Sequence, residues 1–224
     1  VRVTEGGLVN HTREEQVKCP SCSQPGVFRI WDSVNVTADP ELKDRFLSAD
    51  LNTFRCEGCG QETQIWYPML YHDSEQGLMI WLMLNDEAPP ALADLLPGMT
   101  GGSAEGYLFR LVSTPNELKE KIFIADSGLD DRVVELMKWL IRQNDHGQNL
   151  QADDILLFAQ VEEVDAEQRL VFVILRESEQ MASALPAAMY DELAEAAEQQ
   201  LDTLYGGVDP WLRVHESQLS AMPE

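Results

Sequence analysis

All four cysteines of this 224-residue chain fall in two short motifs, Cys19-Pro20-Ser21-Cys22 and Cys56-Glu57-Gly58-Cys59. Two intervening residues let both thiolates of a pair reach one tetrahedral ion, while nearby backbone N–H groups offset the charge on sulfur. Two such pairs complete a closed four-sulfur shell. The fold must therefore bring residue 19 to residue 56 across the 33 residues that separate the pairs. Gly60, directly after Cys59, suits the tight left-handed turn that such a knuckle needs. Pro25-Gly26 reads as comparable turn chemistry after Cys22. Strand formers before Cys56 and after both pairs fit a ribbon in which hairpins present the knuckles. The spacing predicts Cys19, Cys22, Cys56 and Cys59 as ligands of a structural Zn²⁺.

Two other chemistries use the same residues. Four sulfurs also hold iron in a rubredoxin-like electron carrier, and Cys-Pro-x-Cys is a thiol–disulfide exchange pattern. Against exchange, the active cysteine of such a motif opens a helix, whereas Pro25-Gly26 interrupts the chain just after Cys22. A closed four-sulfur site leaves no coordination position for water, which argues against metal catalysis. Paired Cys-x-x-Cys motifs without an apolar leader point to a reducing cytoplasm. Residues 1–16 are polar, with no signal-like apolar stretch, and a leading Val1 fits a start codon read literally, as in a bacterial gene. The longest apolar run is the seven residues from Leu78 to Leu84, against the roughly 20 that a bilayer span needs.

The hydrophobic pattern predicts an α+β chain: an N-terminal zinc ribbon with a helical insertion, then a mixed α/β region with a β-hairpin and two main helices. Residues 27–31 alternate as a strand, and Asp39-Pro40 opens a short helix over 40–50. Residues 53–55 lead back to the second cysteine pair. Residues 63–67 and 78–84 read as paired strands, with the turn in 72–77. From Asn85 to Gly102, Ala, Pro, Asp and Gly dominate; one helical turn is expected at 91–96, and Gly101-Gly102-Ser103 reads as a connection. The expected domains are 17–84 and 105–206.

Beyond that connection, residues 107–112 read as a strand and Thr114-Pro115-Asn116-Glu117 as a capping box opening a short helix. Leu129, Val133, Leu136, Met137, Leu140 and Ile141 form one face of a helix over 129–143, with Lys138 and Arg142 near its negative end and Gly147 beyond it. Residues 155–164 and 170–175 read as a hairpin turning at 165–168. A last helix runs from Pro186 to about Tyr205. No internal repeat is present at solenoid periods.

Formal net charge is −23, and residues 151–200 hold 12 acids against only Arg169 and Arg176. Nucleic-acid affinity is built on cationic neutralisation of phosphates, so this chain disfavours nucleic acid and anionic membranes alike. The acid excess reads first as solubility, and in the sharper reading as an acidic face for a basic protein partner. His72 in Tyr71-His72-Asp73 has a suggestive neighbour, but no motif supplies a nucleophile, and it reads as a turn histidine. His11, His146 and His215 read as solvated. Trp31, Trp66 and Trp81 fall on expected strands and read as sheet or core residues. Asp130-Asp131 beside Arg132 reads as helix N-terminal charge rather than a Mg²⁺ site.

Several stretches carry a resemblance: Cys19-Pro20-Ser21-Cys22, Trp31-Asp32-Ser33-Val34-Asn35, Cys56-Glu57-Gly58-Cys59-Gly60 and Tyr67-Pro68-Met69-Leu70-Tyr71-His72-Asp73. They are similar to bacterial CpXC-type proteins over roughly 17–84. Residues 107–141, through Asn116–Ile122 and Gly128–Arg132, resemble longer members. The resemblance implies the four cysteines as ligands and implies no activity. The functional expectation is a binding or adaptor module with a structural zinc and a protein partner. A rubredoxin-like electron carrier and an enzyme without a known motif stand as alternatives.

Overall fold

The computed structural model describes residues 3–4, 7–8, 10–84, 88–99, 102–144, 150–177, 179–207 and 209–221. It divides into two compact units, residues 1–115 and 116–224. The architecture is mixed α+β, with five α-helices among the described residues. Of those helices, none is long and apolar enough to cross a membrane. Gly101 and the expected helix stop at Gly147 lie outside the described residues.

In the first unit, β1 (Val3–Thr4) and β2 (Gly7–Leu8) form a short antiparallel pair. The main sheet uses β3 (His11–Lys18), β4 (Pro25–Asn35), β7 (Met69–Asp73), β8 (Leu78–Leu82) and β9 (Leu108–Val112). They run in the order β9-β8-β7-β4-β3. β4 pairs β7 in parallel, β8 pairs β9 in parallel, and the other two contacts are antiparallel. Every residue of β7 and β8 is buried, which fits the wholly apolar sequence of β8, whereas β7 ends in the buried polar residues His72 and Asp73. Between β4 and β7 the chain leaves the sheet as α1 (Glu41–Leu47) and then as the small hairpin β5 (Thr53–Arg55) and β6 (Glu62–Gln64). α1 buries Leu42 and Phe46, the latter 6.0 Å from the Tyr71 ring and 6.3 Å from Trp66.

This arrangement corrects the expected strand pairing. Residues 62–64 pair with β5 rather than with β8, whose hairpin partner is β7. The turn is confined to residues 74–77, so His72 and Asp73 are strand residues. β3, in a stretch read only as polar, is an edge strand whose pattern is almost wholly exposed. Such a strand leaves no apolar alternation to read. α1 opens after Pro40 without the side-chain cap expected from Asp39. Trp31 and Trp81 are buried on β4 and β8, as read.

In the second unit, α3 (Pro115–Asp126) and α4 (Asp131–Asn144) precede a three-stranded antiparallel sheet. Its strands are β10 (Ile155–Val164), β11 (Glu167–Arg176) and β12 (Glu179–Pro186), and α5 (Ala187–Tyr205) follows. The expected hairpin is thus a three-stranded sheet. Its first turn is the two residues Asp165 and Ala166, both left-handed, rather than 165–168. β12 lacks the β-branched residues that mark a strand, and Ser183 and Leu185 alone supply its fully buried positions.

α4 has no free face through its middle. Val134, Met137 and Ile141 pack on Leu156, Phe158, Phe172 and Ile174 of the sheet. Val133 and Leu136 pack on Ala197, Leu201 and Tyr205 of α5. The single stripe read from the sequence is therefore two faces. Beside them lie the charged residues Glu120, Lys121, Glu135 and Lys138 at 3% exposure or less, and Asp131 at 7%. Lys138 Nζ donates to both Glu120 carboxylate oxygens at 3.1 Å and meets Glu135 at 3.0 Å. Lys121 Nζ lies 2.9 Å from Glu135 and 3.1 Å from Asp131. Backbone N–H groups complete the set: Phe158 donates to Glu120 at 2.6 Å and Glu216 to Glu135 at 2.9 Å. Lys138 and Asp131 thus belong to a buried ionic chain, not to a solvated helix end.

Candidate metal centre

The two cysteine motifs fold into duplicate knuckles. Ser23 N–H donates to Cys19 C=O at 2.9 Å, and Gly60 N–H donates to Cys56 C=O at 2.9 Å. Cys19 N–H donates to Gln24 C=O at 3.0 Å, and Cys56 N–H to Gln61 C=O at 2.9 Å. In each knuckle the residue after the second cysteine is left-handed, Gly60 at φ 72° and Ser23 at φ 61°. Gly60 does what its position suggested. In the first knuckle that work falls to Ser23 rather than to Pro25-Gly26, which already belong to β4. Gly26 has a different role: a Cβ there would meet the Phe54 ring at 2.8 Å. Its absence lets β4 and the β5–β6 hairpin close on each other beside the knuckles.

The closure brings the four sulfurs together. Cys19 Sγ lies 3.6 Å from Cys59 Sγ and Cys22 Sγ lies 3.6 Å from Cys56 Sγ. All four Sγ atoms lie within 4.8 Å of one another. A tetrahedral zinc–sulfur shell with 2.3 Å bonds has edges of about 3.8 Å, so the donor set fits one such ion. The sulfurs are too far apart for disulfides, and all four cysteines are free. Cys19 and Cys56 are buried, while Cys22 and Cys59 are exposed. The site is thus half-sheltered, with one cysteine of each knuckle buried.

Electrostatics favour a cation there. Backbone N–H groups of Cys22 and Ser21 point at Cys19 Sγ and, against burial, draw that thiol down to about 7. Gln61 N–H pulls in the same direction on Cys59, but the crowding of Cys22 and the other thiols, with burial, pushes Cys59 up to about 12. Four thiolates this close repel one another, so full deprotonation needs a positive ion at their centre.

The other singled-out residues do not join this cluster. His72 is 2% exposed on β7, with Nε2 3.3 Å from the Tyr107 hydroxyl and Nδ1 buried without a partner. Burial, opposed by Asp73, lowers its pKa from 6.5 to about 4. Between those values the unfolded chain binds the extra proton, so stability should fall as pH drops from about 6.5 to about 4. The integrated loss is roughly 3 kcal/mol. Denaturant titrations of wild type and His72→Phe across that window test this; a slope unchanged by the substitution would place the proton elsewhere. His11, read as solvated, instead meets Asp32 at 2.8 Å across β3 and β4. His215 bonds Ser217 locally, and His146 lies outside the described residues. Asp130 accepts from Arg132 N–H at 2.8 Å and pairs with its guanidinium, which is the helix-end role read for it.

Sequence reading missed the buried ionic chain. Its signal was present: Lys121 sits on the Leu118–Ile122 face of α3, and Lys138 lies between Val134 and Ile141 at helical spacing.

The family model of the CpXC protein matches residues 17–138, more than half of the chain, and takes in both knuckles. The chain belongs to the CpXC family. Neither a curated protein nor a solved structure matches it. The CpXC match runs past the first unit into α4, ending at Lys138. All five members of the ionic chain therefore lie within the CpXC region, and the three-stranded sheet and α5 lie beyond it.

Proposed function

We propose that Cys19, Cys22, Cys56 and Cys59 hold one structural Zn²⁺, and that this CpXC protein is a binding or adaptor module rather than a catalyst. The observation that carries the reading is the convergence of four sulfurs from two equivalent knuckles. When bound, zinc supplies a cross-link between the two hairpins and no chemistry on a substrate. The chain's own part is to orient the sulfurs, to aim N–H groups at them, and to bury Cys19 and Cys56. A cytoplasmic location belongs to this reading, because thiolate ligands persist best where thiols stay reduced. The partner side rests on α5, where Asp191, Glu195 and Glu198 recur on one exposed face, while Asp202 further along it is paired with Arg132. Like charges at this spacing weaken a helix by a few tenths of a kcal/mol per pair, a loss that a basic protein surface would reverse.

Iron in the same shell is the competing reading, since its sulfur requirements are similar. Elemental analysis of protein purified under reducing, chelator-free conditions separates them. One zinc per chain and a colourless solution are expected. A red protein with near-stoichiometric iron, or folded protein without metal, would overturn the proposal.

A further inference from the structure

The second unit contains a groove of about 700 Å³ where the α3–α4 turn, β10, β11 and the start of α5 meet. Its walls include the rings of Phe123 and Tyr190 and the side chains of Leu129 and Leu170, and its charged lining residues are Asp126 and Asp191. Among the described residues that line it there is no lysine, arginine or histidine. Tyr190 is held in place: its hydroxyl accepts the Asp130 N–H at 2.7 Å, which fixes the ring at the groove wall. Both aspartates are exposed, one at the C-terminal end of α3 and one in the second turn of α5.

We infer that this groove binds a small organic ammonium ion with an apolar body. Three features select that class. The volume falls within the range of small-ligand sites, about 300 to 1,000 Å³. Aromatic faces attract a cation through their quadrupole while accepting apolar surface. Among the described residues of the lining, the two carboxylates supply the only formal charge, so a cation is matched there and an anion is repelled. The inference goes beyond the adaptor reading and does not depend on the metal, since no groove residue comes from the first unit.

The test uses the full chain with its metal bound, followed by amide NMR. 2-Phenylethylammonium is titrated against its neutral counterpart 2-phenylethanol. Saturable shifts at Gly128, Gln160 and Tyr190 are expected for the ammonium ion, with the alcohol binding far more weakly. Asp191→Asn and Asp126→Asn alter exposed side chains and should leave the fold intact. Each should weaken ammonium binding by about tenfold, the scale of a lost hydrogen bond to a charged group. Equal binding of the alcohol, binding unaffected by both substitutions, or saturation only by a lysine-rich peptide would overturn the inference.

Discussion

Lys138→Met should destabilise the second unit by about 3–5 kcal/mol, read as a lower denaturant midpoint with an unchanged slope. The reason is what the lysine leaves behind. Its ammonium bonds both oxygens of Glu120 and also meets Glu135, and all three side chains are at 2% exposure or less. Methionine fills similar volume, so packing loss is small and most of the effect is uncompensated buried charge. Glu135 keeps Lys121 and the Glu216 N–H, whereas Glu120 keeps the Phe158 N–H and the more distant pull of Lys121. Burial already pushes Glu120 up to about 7, against the pull of Lys138 and Lys121. Without Lys138 it should take up a proton, which limits the loss. Adding Glu120→Gln should therefore recover more than half of the stability, because a glutamine still accepts from Phe158. Strictly additive single effects would instead show that Glu120 and Lys138 do not act as a pair.

Cys56→Ser should remove the metal and unfold the knuckles before anything else. A three-ligand site with a weak serine oxygen loses several kcal/mol of the free energy that metal binding contributes to folding. The β5–β6 hairpin has three residues in each strand and cannot stand alone at that length. Hydrogen exchange should show protection lost first at the Cys19, Ser23, Cys56 and Gly60 amides and through β5–β6. β7 and β8, buried on both faces, should exchange later. In the second unit, α4 has its own two apolar contacts and should keep its protection. Chelation of wild type should reproduce the pattern. If α4 loses protection together with the knuckles, the four-cysteine site organises the whole molecule and the two units fold as one.

The cysteine cluster was legible because its determinants are local. Two residues between ligands fix a knuckle, and the left-handed position after Cys59 demands little besides glycine. Placing the other left-handed residue at Ser23 was not legible, since serine carries no such mark. Helices α4 and α5 were readable from 3.6-residue periodicity and α3 from the Thr114-Pro115-Asn116-Glu117 pattern, all properties of contiguous sequence.

Pairing was a different matter. Residues 63–67 (Thr63-Gln64-Ile65-Trp66-Tyr67) carry more strand formers than 69–73 (Met69-Leu70-Tyr71-His72-Asp73), yet it is the latter that meets β8, a choice that only the fold makes. Placement of β9 beside β8 joins residues across the 85–102 stretch, and no local pattern specifies such a partner. The same holds for charge. On one helix, Lys138 looks like a cation near a negative helix end, and Glu120 looks like a solvated acid. Burial becomes possible only when α3 and α4 place opposite charges within 3.1 Å of each other. Sequence by itself determined which cysteines form the cluster, the mixed α+β class and most helices. Tertiary structure alone decided the strand order, the interior position of His72 and the ionic chain, because each depends on groups far apart in sequence desolvating one another.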